Sequence, residues 1–176
     1  LQDDDSHVRL AACDALSNLP LEVVAPHVCE IAQRLRDADE CVRLGACNAL
    51  SKLPPKVLVS VACEIAQVMN DDEELVRAAA CDALSKLPPD ELASHACRIA
   101  QMLNDDEERI RAAACAALAK LPPEVWASHA CKLAQRLKDK DADVCMAARD
   151  AWSKLPPKIL APYAHAVVEA VLRRQE

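Results

Sequence analysis

Residues 71–105 read DDEELVRAAACDALSKLPPDELASHACRIAQMLND. Val76, Ala80, Ala83, Leu84 and Leu87 recur at helical spacing and form one apolar stripe. Pro88-Pro89 cannot continue that helix, whereas a proline at the first helical position suits a new one. A second stripe, Leu92, Ala96, Ile99 and Leu103, ends at Asn104-Asp105. Asp71 or Asp72 is placed to cap the first helix, and Glu74, three residues after Asp71, would complete a capping box. The stretch therefore predicts two antiparallel helices of about 12–16 residues joined by short turns.

The same stretch recurs along the whole chain. Leu-Pro falls at Leu19-Pro20, Leu53-Pro54, Leu87-Pro88, Leu121-Pro122 and Leu155-Pro156, a period of 34 residues without insertion or deletion. The third and fourth units agree at about two-thirds of their positions. A fixed period of this size is the signature of a solenoid, in which each unit buries its apolar face against its neighbours. Small residues (Ala79, Ala80, Ala83, Ala96, Ala100) let helix axes approach closely, and Gly45 stands where two backbones nearly touch.

The units are 1–34, 35–68, 69–102, 103–136 and 137–170, with a tail at 171–176, read as one domain, 1–176. The first complete element is expected over about Asp5 to Asn18, and the last over about Pro157 to Arg174. Terminal repeats normally need polar caps. The apolar flank at the N-terminal end therefore marks the chain as a piece of a longer solenoid, or leaves that end open to self-association. The fifth unit departs from its columns at Cys145, Arg149, Trp152, Tyr163 and His165, and Arg173-Arg174 replaces the next opening Asp, as in a C-terminal cap.

The run Asp71, Val76, Arg77, Ala80, Ala83 and Leu84 resembles the second helix of a HEAT repeat, and the resemblance covers essentially the whole chain. It is of the short type that includes phycobilisome lyase-like repeats and artificial helical repeat scaffolds. The tetratricopeptide repeat shares the period but needs aromatic and glycine positions that this chain lacks. The resemblance implies an all-α fold: a right-handed α-α superhelix (α-solenoid) of five 34-residue two-helix HEAT-like repeats, ten helices in all. It also implies a ladder between neighbouring units, from Arg9, Arg43, Arg77 and Arg111 to the column Asp3, Asp37, Asp71, Asp105 and Asp139. Cys145 stands where the fifth Arg would be, so the ladder should stop there.

Composition narrows the function classes. The net charge of −7 argues against nucleic acid and against an anionic membrane surface as partner. No apolar run approaches the ~20 residues of a membrane span. Of ten Cys, eight form two columns: Cys13, Cys47, Cys81, Cys115 and Cys29, Cys63, Cys97, Cys131. Both columns read as small buried apolar residues, which suits a reducing, cytoplasmic setting. His27, His95 and His129 each precede a column Cys by two residues, about 200° apart on a helix, so the two cannot share a metal. Val61 and Tyr163 complete that column, which reads as half-buried packing. Gln33, Gln67, Gln101 and Gln135, with Glu169, form a polar column opposite the apolar stripe. The acidic turns at Asp3-Asp4-Asp5, 71–74 and 105–108 favour helix N-termini, with a basic partner as the alternative, while Lys52, Lys86, Lys120 and Lys154 suit C-termini.

No phosphate loop, nucleophile elbow or His-Glu pair occurs, so no catalytic residue, cofactor or metal is expected. What varies is the face of the second helices opposite their apolar stripe, which the resemblance places on a concave groove. It comprises His7, Leu10, Asp14; Cys41, Leu44, Asn48; Leu75, Ala78, Asp82; Arg109, Ala112, Ala116; and Asp143, Met146, Asp150. The expected function is a non-enzymatic scaffold presenting this groove to a peptide or protein. The alternatives are a lyase-like or cofactor-binding HEAT-like module, or an artificial consensus scaffold.

Overall fold

The computed structural model describes residues 1–163. They contain helices and connecting turns and, among the described residues, no strand. The chain is an all-α repeat solenoid built from an alternation of long and broken helices. It divides into two compact units, Leu1–Pro88 and the part from Pro89 onward.

The long helices of the first unit are Ser6–Ser17, Glu40–Ser51 and Glu74–Leu84; those of the second are Glu108–Leu118 and Ala142–Ser153. Asp5, Asp39 and Asp141 cap three of them, each carboxylate accepting backbone N–H bonds from the first turn. The expected capping box at Asp71 and Glu74 does not form. Glu73 occupies the cap position without a side-chain bond, and Asp71 accepts the Glu73 N–H at 3.0 Å. Asp71 is two positions too early to cap, and its lone pairs go to Arg43 instead.

The other helix of each repeat is broken rather than continuous. Leu21–Val24 is α-helical, Ala25–His27 is a 3₁₀ turn, Val28–Gln33 is α-helical again and Arg34–Arg36 closes as 3₁₀. The break recurs at one register position: His27, Val61, His95 and His129 all lie near φ −101 to −126°, ψ 4 to 13°. The residue before the break is Pro26, Ser60, Ser94 or Ser128. Proline has no N–H to give. The Ser60 and Ser94 hydroxyls donate to carbonyls three residues back, competing with the helix.

Within the first unit, Ser6–Ser17 packs on Glu40–Ser51, which packs on Glu74–Leu84; within the second, Glu108–Leu118 packs on Ala142–Ser153. Each broken helix lies behind the long helix that follows it, as Val28–Gln33 does behind Glu40–Ser51. Val42, Ala46, Ala49 and Leu50 face these neighbours and are buried, as are Ile31, Leu35, Leu58 and Ile65 from the broken helices. Each large side chain so buried contributes roughly 1.5–3 kcal/mol. A long helix with neighbours on both flanks and a second layer behind keeps one free face.

Arginine–aspartate pairs lock neighbouring repeats. Arg9 donates through Nε and NH2 to both Asp37 oxygens at 2.8 and 2.7 Å; Arg43 does so to Asp71 at 2.7 and 2.9 Å, and Arg111 to Asp139 at 2.9 Å each. Each NH1 also clamps its own loop, as Arg9 does on the Asp3 and Asp4 carbonyls. In the fifth repeat the Cys145 thiol sits 3.1 Å from the Asp139 carbonyl, taking the loop contact without the reach to a further repeat.

Candidate functional site

The predicted contact residues all lie on the free face of the long helices. In each helix they stand three and four residues apart and so share one side. His7, Asp14, Cys41, Asn48, Leu75 and Asp82 are exposed in the first unit, with Leu10, Leu44 and Ala78 half-buried between them. In the second unit Arg109, Ala116, Asp143, Met146 and Asp150 are exposed and Ala112 is half-buried. None of the fifteen is buried.

Three rows cross the first unit. In the first turn of the helices the row is His7, Cys41, Leu75; the middle row is Leu10, Leu44, Ala78; the last is Asp14, Asn48, Asp82. Leu75 is 57 % exposed, the highest among the large apolar side chains of the described residues, and Met146 of the second unit is 47 % exposed. Serines pin the end of the last row: Ser17, Ser51 and Ser85 hydroxyls donate to the carbonyls of Asp14, Asn48 and Asp82 at 2.8–2.9 Å. Lys52 continues past them to the Ser17 hydroxyl at 3.0 Å, and Lys86 donates to the Ser51 carbonyl. Lys52 and Lys86 thus tie successive helix ends together, whereas Lys154 donates to Asp150 of its own helix at 2.9 Å.

The remaining columns separate cleanly. Cys13, Cys47, Cys81 and Cys115 are buried, and burial pushes the Cys47 and Cys115 thiols up to about 12. Cys29, Cys63, Cys97 and Cys131 are exposed, contrary to the expectation that both columns fill the core. The broken helix buries Val28, Ile31, Ala32 and Leu35, and Cys29 falls just outside that stripe. All ten cysteines are free thiols. His27 is exposed and His95 and His129 are half-buried; burial lowers the His95 pKa. Gln33, Gln67, Gln101 and Gln135 are exposed, and Gln67 accepts from Arg36 at 2.7 Å. Glu169, His165, Arg173 and Arg174 lie outside the described residues. Trp152 is buried and meets Tyr163 edge-on, ring centroids 5.4 Å apart.

A cleft of about 230 Å³ between the broken helices of the first unit is lined by Cys29, Ala32, Gln33, Arg36, Val61 and Glu64. Among the described residues, no group of three or more His, Cys, Asp or Glu side chains is placed to hold a metal ion. No helix among them is long and apolar enough to cross a membrane.

Solved structures of similar shape include engineered proteins, among them designed armadillo repeat proteins. A computationally designed armadillo repeat protein for modular peptide recognition superposes with a TM-score of 0.80 at 17 % identity, over 96 % of this chain and 86 % of that one. A designed armadillo repeat protein in complex with the peptide (KR)4 gives 0.76 at 16 % identity, over 99 % and 88 %. Another engineered protein gives 0.76 at 19 % identity, over 97 % and 81 %. Identities this low speak to the fold alone. No curated protein matches the sequence. The family model for HEAT repeats matches residues 30–119, just over half the chain. With that match, the 34-residue period and the observed Arg–Asp pairs between stacked helix pairs, the chain belongs to the HEAT-repeat family.

Proposed function

We propose that the chain is a non-enzymatic interaction scaffold, acting as one domain of five repeats, that holds a peptide or protein segment against the free face of its long helices. The carrying observation is the exposure of Leu75 in the first unit and of Met146 in the second, each on the free face of its own long helix. An apolar side chain held out by a rigid helix offers a partner an anchor at little ordering cost. The scaffold columns stay constant while the first row runs His7, Cys41, Leu75, Arg109, Asp143. Such variation on a fixed frame is what selects one partner over another. The structural neighbours made for peptide recognition, and the one bound to (KR)4, support this class of partner. The acidic balance of −7 disfavours nucleic acid and anionic membranes, and ten free thiols fit a reducing compartment.

The test is a peptide selected on the intact protein from a random library. Leu75→Ala and Leu44→Ala should each weaken its binding by about tenfold, the ordinary loss for an anchor contact, with the helical circular dichroism unchanged. Affinity that ignores both variants and Arg109→Ala would defeat the proposal.

A further inference from the structure

The net charge is not spread evenly along the chain. Residues 1–88 hold fifteen Asp and Glu against eight Lys and Arg, while residues 89–176 hold thirteen of each. The whole net charge of −7 therefore belongs to the first unit, Leu1–Pro88.

The acids of that unit differ in what they do. Asp37 and Asp71 are neutralised by the guanidinium groups of Arg9 and Arg43, and Asp5 and Asp39 cap helices. Glu40, Glu74, Asp14 and Asp82 have no such role. Glu40 and Glu74 stand four residues before Leu44 and Ala78; Asp14 and Asp82 stand four residues after Leu10 and Ala78. That spacing puts all four on the free face of the long helices. They are exposed, and among the described residues no cation pairs with them. The helix dipole accounts for Glu40 and Glu74, which open their helices, but it disfavours Asp14 and Asp82 in the last turn. Arg9, Arg43 and Arg77 each precede the middle row by one residue, about 100° round the helix, so no Lys or Arg of these helices shares the face. Lys52 and Lys86 lie beyond the helix ends, on Ser17 and Ser51. Between the two acidic rows run Leu10, Leu44 and Leu75, the last 57 % exposed. The second unit differs: Arg109 is adjacent to Glu108, and Lys154 pairs with Asp150.

We infer that the free face of the first unit takes a basic amphipathic peptide segment. Its apolar side chains lie along Leu10, Leu44 and Leu75, and its Lys or Arg side chains reach the acids on either side. The inference rests on the scaffold reading proposed above and adds the chemistry of the partner. Like charges held unpaired on one face repel an acidic segment and leave a neutral one without partners for them, so the face selects by charge as well as by apolar fit.

The probe is the synthetic peptide (Leu-Lys-Lys)4, titrated against the intact protein at about 0.15 M salt. In a polyproline-II-like chain its Leu residues recur every ~9 Å, close to the roughly 8–10 Å between packed helices. It should bind about tenfold more tightly than the same peptide with Gln for Lys, and the version with Glu for Lys should not bind. Leu75→Ala should weaken binding by about tenfold. Glu40→Gln with Glu74→Gln should weaken it by about fivefold, as the loss of two exposed ion pairs. Glu22→Gln with Glu30→Gln removes the same charge from the broken helix and should change nothing. No binding of the basic peptide, or binding that the two Glu pairs weaken equally and Leu75→Ala leaves intact, overturns the inference, since the attraction would then be diffuse. A Gln peptide that binds as tightly as the basic one and depends on Leu75 also overturns it, while leaving the scaffold reading in place. The scaffold reading fails separately, when library-selected peptides ignore Leu75, Leu44 and Arg109.

Discussion

Asp139→Ala should be among the most costly surface-loop substitutions in the protein. Its carboxylate accepts Arg111 Nε and NH2 at 2.9 Å, Arg136 NH1 at 3.1 Å and the Asp141 N–H at 3.1 Å. The Arg111 and Asp139 side chains are 4 % and 3 % exposed. Alanine would leave a buried guanidinium without its anion, which costs about 3–5 kcal/mol in general. Arg111 keeps its two bonds to the Asp105 and Asp106 carbonyls, so the low end, about 3 kcal/mol, is expected here. That corresponds to a fall in melting temperature of roughly 6–12 °C for a chain of this size. Asp139→Asn retains one acceptor and should lose less. Arg111→Met with Asp139→Ala should recover part of the loss, since removing both charges removes the orphan. Asp3 is the internal control: its carboxylate accepts the Asp5 N–H at 3.0 Å but meets no guanidinium among the described residues, so Asp3→Ala should lower the melting temperature far less. Equal losses at Asp3 and Asp139 by thermal denaturation would refute the argument that the ladder acts through buried guanidinium pairing.

Acid should unfold the protein through the same column. The Arg9 hydrogen bonds foremost hold the Asp37 carboxyl below the ordinary range. Burial pushes the Asp139 carboxyl up, but Arg111, the Asp141 amide and Arg136 outweigh it and the net shift is downward. A depressed folded pKa gives stability that is present above the unfolded value near 3.9 and is lost as pH falls through the folded value. The urea midpoint should therefore hold between about pH 7 and 5 and drop below about pH 4, less steeply in Asp139→Ala. Alkylation of the native protein followed by mass spectrometry should modify Cys29, Cys41, Cys63, Cys97 and Cys131 quickly and spare Cys13, Cys47, Cys81 and Cys115 until unfolding. Modification of Cys47 at the rate of Cys63 would contradict the described packing. Gly45→Ala should stabilise by about 0.5 kcal/mol in urea titration, because helix propensity gains and the contact it meets is the mobile end of Leu10. A loss above about 1 kcal/mol would mean that Leu10 cannot yield.

Much of the fold is written in the 34-residue columns. The Leu-Pro period places the repeats, Pro55, Pro89, Pro123 and Pro157 start the broken helices, and Arg9, Arg43 and Arg111 meet the aspartates 28 residues on. The break in each second-layer helix is not announced by apolar spacing, because Val28, Ile31 and Leu35 keep helical periodicity through it. Its signal is the Pro26 or Ser60 type of residue just before the column of His27 and Val61. Cys29 faces water rather than the core because one residue decides which way a side chain points, and periodicity does not resolve boundaries that finely. The free face of the long helices was legible by subtraction: once scaffold positions are removed, His7, Cys41, Leu75, Arg109 and Asp143 remain. Their partner is not legible, since affinity depends on groups the chain does not contain.

The protein carries its own probe for the central claim. Cys41 lies in the proposed contact row between His7 and Leu75, while Cys29 and Cys63 are exposed on the broken helices. Alkylation rates of these thiols, measured with and without a peptide selected on the intact protein, locate the bound partner directly. The account predicts that the peptide slows Cys41 and leaves Cys29 and Cys63 as they were. Slowed Cys29 and Cys63 with an unaffected Cys41 would place the partner on the broken helices and contradict it.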